Sequence, residues 1–135
     1  MKKFYLIILA VFITSLSSCS SDDNGSSNSN IQINPPNWIQ GKWLLKGAVV
    51  GESGFRFTSN DFLLIQVNME ISQKALLKQS VDIGQNVTTT EDNTENSYTL
   101  ILNFAAGQIM TYSFTRISDS EITWNTVNNS IYTKQ

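Results

Sequence analysis

The sequence contains no histidine and one cysteine, and its charges nearly balance, with 9 Lys and Arg against 11 Asp and Glu. Without histidine there is no imidazole base for a serine or cysteine nucleophile, and no imidazole ligand for zinc. One cysteine excludes an internal disulfide and a metal site with several thiolate ligands. With positive and negative charges nearly balanced, the chain lacks the excess of positive charge that is typical of nucleic-acid-binding proteins. We therefore expect no metal, no other cofactor and no nucleic-acid partner, in a chain of 135 residues with room for one domain.

The N-terminus has the pattern of a secretory leader. Two lysines follow Met1, and an apolar run then extends from residue 4 to residue 13. This run is half the length of about 20 residues that a membrane-spanning helix requires. Small residues follow it, which is typical of a cleavage region. We expect a signal peptide over residues 1–18.

The four residues Leu16-Ser17-Ser18-Cys19 resemble the lipobox of bacterial lipoproteins. The resemblance implies cleavage before Cys19, attachment of diacylglycerol to its sulfur, and often acylation of its amine with palmitate or a similar chain. The membrane would then be a partner through the lipid on Cys19, because two or three acyl chains hold firmly where one binds reversibly. The alternative is an unmodified cysteine near a generic cleavage site.

A polar stretch follows the cysteine. Residues 20–30 carry no apolar side chain and cannot offset the entropy cost of ordering, so we assign residues 19–36 to the lipidated Cys and a flexible tether. Residues 20–23, Ser-Ser-Asp-Asp, also resemble the acidic export signal of Bacteroidota surface lipoproteins. That resemblance implies the outer membrane and exposure at the cell surface, with a periplasm-facing position as the alternative.

The remaining sequence predicts an all-β domain, with folded structure beginning near Ile31 and the domain itself assigned to residues 37–135. Turn signals recur at roughly nine to thirteen residues, and β-branched and aromatic residues alternate with polar ones between them. We expect a compact antiparallel meander that closes into a barrel of eight or nine short strands. Residues 65–71 form one such alternating strand. Residues 73–80 have some helical character, but a strand is favoured there.

The first predicted strand opens with Gly41-Lys42-Trp43, which resembles the Gly-x-Trp signature of lipocalins and of the short lipocalin-like domains of Bacteroidota lipoproteins. Residues 112–124 and 131–134 resemble the paired strands that often end such domains. The resemblance implies a lipocalin-like barrel in which Gly41 admits the chain to the floor, Trp43 plugs the floor, and Arg116 packs over Trp43. The alternative for Trp43 is an ordinary core aromatic residue.

In such a barrel the apolar strand faces would line a ligand pocket. The candidate lining residues on these faces are Phe57, Val67, Met69, Leu102, Tyr112, Phe114 and Trp124. Arg56 lies between two phenylalanines and either faces inward toward an anionic ligand or, as the alternation favours, faces outward. The acidic residues Glu91, Asp92 and Glu95 are interpreted as a solvated turn rather than as a calcium loop, since they lack its spacing.

No pair of carboxylates stands out for acid–base catalysis, so we expect a binding protein and not an enzyme. The first hypothesis is a membrane-anchored lipoprotein whose lipocalin-like domain binds a small apolar or amphipathic ligand. The alternative is a structural or interaction subunit with a filled barrel and no ligand, which docks an outer-membrane protein partner. A cavity of about 300–1,000 Å³ would favour the first hypothesis.

Overall fold

A computed structural model describes residues 31–135. The predicted signal peptide, Cys19 and residues 20–30 of the predicted tether lie outside the described residues. The elements in chain order are β1 (Gly41–Leu45), β2 (Gly54–Phe57), β3 (Phe62–Gln66), β4 (Met69–Ser72), α1 (Gln73–Asp82), β5 (Thr88–Asn93), β6 (Ser97–Asn103), β7 (Ile109–Arg116), β8 (Glu121–Trp124) and β9 (Ile131–Lys134).

All nine strands form one antiparallel sheet in the order β4-β3-β2-β1-β9-β8-β7-β6-β5. The sheet curls strongly into a half-barrel, which confirms the all-β class and is consistent with a lipocalin-like barrel. The first and last strands, β1 and β9, are neighbours in the middle of the sheet. Its two free edges are β4 and β5, which are consecutive in the sequence and are joined by α1.

The turns of the meander lie alternately at two ends of the half-barrel. The closed end carries the turns 58–61, 94–96 and 117–120, and the open end carries the loops 46–53, 67–68, 104–108 and 125–130. Helix α1 begins at the closed end, because the Asp61 carboxylate accepts a hydrogen bond from the Lys74 N–H at 3.1 Å. The helix therefore runs along the gap between the edge strands toward the open end.

The strand predicted over residues 73–80 is wrong, since α1 occupies Gln73–Asp82. Ser72 caps the helix by accepting a hydrogen bond from the Ala75 N–H at 3.0 Å, and its own hydroxyl donates to Asp61 at 2.6 Å. Leu77 is completely buried and fixes the helix against the core. The second cap residue, Asp61, lies eleven positions before Ser72. The sequence pattern within residues 73–80 therefore gives no indication that Asp61 caps a helix there.

The continuous strand predicted over residues 65–71 is also wrong. Val67 and Asn68 adopt left-handed conformations, with φ of 49° and 66°, and form a two-residue hairpin turn between β3 and β4. Asparagine tolerates this conformation well. The Asn68 side chain then accepts a hydrogen bond from the Glu52 N–H at 2.7 Å, which joins this turn to the loop 46–53 at the open end.

The first described residues, 31–36, are already packed, which agrees with the expectation of folded structure near Ile31, so the assignment of these residues to the flexible tether is wrong. Ile33 is buried in the core, and the Gln32 N–H donates to the Thr89 hydroxyl at 2.9 Å. The Asn34 N–H donates to the Glu91 carboxylate at 2.7 Å. These contacts place residues 31–36 alongside β5.

The interior of the half-barrel toward the closed end is filled by aromatic rings. Phe57 and Phe62 flank the closed-end turn 58–61 and stack with a centroid distance of 5.1 Å. Phe114 from β7 meets Phe57 edge-on at 5.2 Å, and Tyr98 from β6 meets it at 5.9 Å. Such edge-to-face contacts stabilise the core beyond the area that they bury. The aromatic side chains in this half of the interior are fully packed.

Candidate ligand cavity

The signature residues Gly41 and Trp43 lie together on β1. Trp43 is completely buried, and its indole N–H donates to the Ile39 carbonyl at 2.6 Å. The Lys134 ammonium lies 5.1 Å from the centroid of the Trp43 ring, within the range of a cation–π contact. Gly41 has a φ of 126°, and a Cβ there would lie 2.9 Å from the Lys134 side chain. Burial of Trp43 is common to a floor plug and to an ordinary core residue.

The predicted packing of Arg116 over Trp43 is wrong. The Arg116 guanidinium lies over the ring of Trp38, 5.7 Å from its centroid, and forms an ion pair with Asp119. Lys134 takes the position over Trp43 because β9 is the neighbour of β1, whereas β7 is separated from β1 by two strands. Trp38 in turn donates its indole N–H to the Thr94 carbonyl at the closed end, at 3.1 Å.

A cavity of about 780 Å³ lies at the open end, between α1 and the inner faces of β3, β4 and β7. It exists because the edge strands β4 and β5 do not pair, so that a helix rather than a strand forms one wall. The residues that line it are Leu64, Gln66, Ile71, Gln73, Leu76, Gln79, Ser80, Asp82, Ile83, Phe104, Met110 and Tyr112. This volume lies within the range of about 300–1,000 Å³ that is typical of small-molecule sites.

The chemistry of this cavity is apolar with a few polar groups. Among its lining residues Asp82 is the only charged side chain, and no cation is present. The Tyr112 hydroxyl has no hydrogen-bond partner among the described residues, and burial raises the pKa of this tyrosine above its ordinary value. Tyr112 is therefore a neutral hydroxyl at physiological pH and is free to donate to a ligand. Gln73 is buried and donates to the Ile71 carbonyl at 3.3 Å.

A second cavity of about 470 Å³ adjoins the first and continues along the inner faces of β2, β8 and β9. The two share Leu64, Gln66, Met110 and Tyr112 as lining residues. Trp124 also lines the second cavity, and its indole nitrogen is buried without a hydrogen-bond partner. A buried donor without a partner costs about 1–3 kcal/mol.

The predicted lining residues divide into three groups. Tyr112 and Trp124 line the cavities, whereas Phe57, Leu102 and Phe114 are packed in the core with 2% exposure or less. Val67 and Met69 line neither cavity, because the hairpin turn places them in solvent, at 56% and 63% exposure.

Sequence reasoning missed the wall that α1 contributes, together with Phe104 and Met110. Met110 precedes Tyr112 by two positions on the same strand, so the alternation that selected Tyr112 also indicates Met110. The helical wall carried a weaker signal. Leu76, Ser80 and Ile83 follow the spacing of one helix face, although the sequence favours a strand over this segment.

The other charged candidates have structural partners. Arg56 faces outward, as the alternation predicts, and pairs with Glu70 at 3.0 Å. Glu91 and Asp92 lie in β5 and not in a turn, so that interpretation is wrong for both of them. Within residues 31–135 no group of three or more Cys, Asp or Glu side chains is arranged to hold a metal ion. No helix in this part of the chain is long and apolar enough to cross a membrane.

Comparison of the chain with protein-family models, with curated proteins and with solved structures finds no match.

Proposed function

We propose that this protein is a membrane-anchored lipoprotein whose lipocalin-like domain binds a small apolar or amphipathic ligand at its open end. The observation that carries the proposal is the cavity of about 780 Å³ between α1 and the curled sheet. Its walls combine aliphatic side chains with Phe104 and Tyr112, which is the composition of sites for apolar molecules. One carboxylate, Asp82, lines it without a partnering base, so we propose binding rather than catalysis.

The polarity of the cavity narrows the class of ligand. An anionic head group would find no lysine or arginine among the lining residues and would meet the carboxylate of Asp82. A neutral ligand could accept a hydrogen bond from the Tyr112 hydroxyl, and a cationic group would be attracted to Asp82. The proposed ligand is therefore an apolar chain or ring system with an uncharged or cationic polar group, and not a free fatty-acid anion.

The anchor is part of the same proposal. The lipobox resemblance at residues 16–19 supports a lipid on Cys19, and the acidic residues after it support the outer membrane and the cell surface. Growth of the native host with labelled palmitate should label the wild-type protein, and Cys19→Ala should abolish the label. Label retained by the Cys19→Ala protein would contradict the anchor.

The binding proposal is tested by native mass spectrometry of the mature protein purified from its host. We expect a stoichiometric additional mass from an apolar compound, and displacement of that compound by a fluorescent naphthylamine probe. Leu64→Trp fills the cavity from β3 and should prevent both. Leu63→Trp is the matched control, because its register partner is the outward-facing Arg56 and it lies on the other face of the strand. Wild-type protein that carries no added mass and does not bind the probe would contradict the proposal.

A second candidate is a structural or interaction subunit that docks an outer-membrane protein. The packed aromatic half of the interior favours it, since that part of the barrel is already filled by Phe57, Phe62 and Phe114. Crosslinking in cells should then capture one stoichiometric outer-membrane protein. Recovery of the protein alone would count against this candidate.

A further inference from the structure

We infer that the open end of the half-barrel faces and contacts the lipid bilayer in which the acyl chains of Cys19 are inserted. This inference rests on the proposed lipid anchor. It adds an orientation and an interaction surface, so that the ligand cavity opens toward lipid and not toward the medium.

The exposed apolar side chains are concentrated at this end. Of the ten large hydrophobic side chains that are exposed among the described residues, eight lie in the open-end loops or at the strand and helix ends beside them. Val49 and Val50 lie in the loop 46–53, Ile83 follows α1, and Ile109 begins β7. In contrast, Ile117 is the exposed member of this group at the closed end. A concentration of exposed apolar side chains at one end of a domain indicates an interaction site.

Charged side chains, in contrast, are few in the open-end loops and are present in every closed-end turn. The open-end loops 67–68, 104–108 and 125–130 contain no charged residue, and neither do the residues 83–87 after α1, whereas Asp82, the last residue of α1, adds one carboxylate to this end. The two charges of the loop 46–53 are paired, since Lys46 lies 3.8 Å from Glu121 and Glu52 pairs with Lys42. Each closed-end turn, by contrast, carries an acidic side chain. An end with few charges suits contact with lipid, whereas a charged end is better solvated by water.

The path of the chain supplies the reason to choose a bilayer as the occupant. Gln32 contacts Thr89 near the start of β5, and Trp38 contacts Thr94 beyond its end, so residues 31–38 run from the open end to the closed end. Ile31 therefore leaves the described structure at the open end. Ile31 lies twelve positions after Cys19, and a chain of that length spans at most about 43 Å. The open end is therefore the end of the domain at which the connection to the acyl chains joins the described structure.

The cavity lies at the same end. Ile83 and Met110 are both exposed at this surface and both line the cavity of about 780 Å³. A lipid-soluble ligand could then pass between the bilayer and the cavity without crossing water, since its path is bordered by the apolar rim.

The orientation is tested with the mature, lipidated protein reconstituted in phosphatidylcholine vesicles. Because acylation occupies the sulfur of Cys19, a single introduced cysteine provides a unique position for an environment-sensitive fluorophore. Ile83→Cys and Val50→Cys place the label at the open end, and Ile117→Cys is the matched control at the closed end. With brominated lipids we expect a blue shift and loss of fluorescence at the two open-end positions, and neither effect at residue 117. A Val49→Glu, Val50→Glu double variant should reduce the quenching at residue 83, whereas Ile117→Glu should not.

Equal quenching at all three positions, stronger quenching at residue 117, or no quenching at any position would overturn the orientation. A blue shift at residue 50, which lines neither cavity, that appears without lipid would show that a second copy covers this surface and would also overturn the orientation. Wild-type protein that takes up the thiol label would contradict the lipid anchor itself. Failure of the orientation is therefore distinguishable from failure of the proposed function.

Discussion

Tyr98 connects three parts of the molecule through one buried hydroxyl. The ring is completely buried among the core aromatics, and the hydroxyl donates a hydrogen bond to Glu91 at 2.6 Å. The same carboxylate oxygen accepts from the Asn34 N–H, so one acidic side chain joins β5, β6 and the N-terminal segment. Desolvation, with the hydrogen bond to Glu91 and its charge acting in the same direction, raises the pKa of Tyr98 far above its ordinary value of 10.

This raised pKa predicts a loss of stability at alkaline pH. Below about pH 10 Tyr98 is protonated in both the folded and the unfolded chain, and its contribution does not vary with pH. Above that pH the unfolded chain loses the proton while the folded chain keeps it, so stability falls by about 1.4 kcal/mol per pH unit for each such tyrosine. Burial also raises the pKa of Tyr112 and Tyr132, which add to the slope.

Tyr98→Phe should reduce this alkaline slope by the contribution of one proton, as measured by urea unfolding between pH 9 and pH 11. At neutral pH the variant should lose about 1–3 kcal/mol of stability, because a buried hydrogen bond to Glu91 is removed. Asn34→Ala is the control, because it shortens a neighbouring side chain without changing the number of titrating groups. An alkaline slope in Tyr98→Phe identical to that of the wild type would contradict the role given to Tyr98.

At the scale of the elements, α1 is the part of the structure that creates the site. It replaces a strand at the gap between β4 and β5, and it supplies Leu76 and Ser80 to the cavity wall, to which Ile83 adds directly after its end. The buried Leu77 side chain fixes the middle of the helix against the core, and the cap formed by Ser72 and Asp61 fixes the start of the helix. The helix has no acidic residue in its first turn, so the Asp61 carboxylate from the closed-end turn is the negative group that faces its N-terminus.

Ser72→Ala should therefore lower stability by about 1 kcal/mol, within the range of about 0.5–2 kcal/mol for removal of an N-cap. The variant should also weaken binding of the naphthylamine probe, because the cap positions one wall of the cavity. Ser80→Ala is the matched control for stability in the same helix. Its hydroxyl donates back to the Leu76 carbonyl and caps nothing, so chemical unfolding should detect little change. A Ser72→Ala protein as stable as Ser80→Ala would be evidence against the cap.

At the scale of the whole molecule, the first and last strands of the described residues, β1 and β9, pair in the middle of the sheet. Strand β9 pairs with β1 on one side and β8 on the other, and thereby joins the two halves of the meander. Tyr132 packs in the core and Lys134 covers Trp43. The free edges fall instead at β4 and β5, in the middle of the sequence.

This arrangement predicts that the last strand is indispensable. Deletion of residues 131–135 removes both ladders of β9 and should abolish cooperative thermal unfolding and the near-ultraviolet dichroism of the aromatic core. Deletion of Gln135 alone is the control, and it should have only a small effect because it removes one backbone hydrogen bond, to Lys42. A truncated chain that still unfolds cooperatively would contradict the central position of β9.

Sequence reasoning succeeded where a feature depends on neighbouring residues, and it failed where the feature depends on residues that are far apart in the chain or on the conformation of single turn residues. Apolar residues alternate along residues 98–102 and 110–114, and this pattern agrees with the burial of Tyr98, Leu100, Leu102, Tyr112 and Phe114, although Met110 at the open end is 39% exposed. In both segments successive side chains point to opposite faces of the strand, so the buried face can be predicted from the local sequence. The prediction failed at residues 67–68, where two left-handed residues reverse the chain inside an alternating pattern, and at α1, whose cap comes from a distant turn.

The sequence by itself determined the all-β class, the outward orientation of Arg56, and the absence of imidazole and of a second thiol throughout the chain. These properties depend on residue type and on the two-residue period of a strand. Only the tertiary structure decided that β4 and β5 do not pair, that α1 occupies the gap, that Lys134 rather than Arg116 covers Trp43, and that a cavity lies at the open end. The physical reason is that a cavity and its walls are formed by residues far apart in the chain, such as Leu64, Ile83 and Tyr112, which are brought together when the sheet curls.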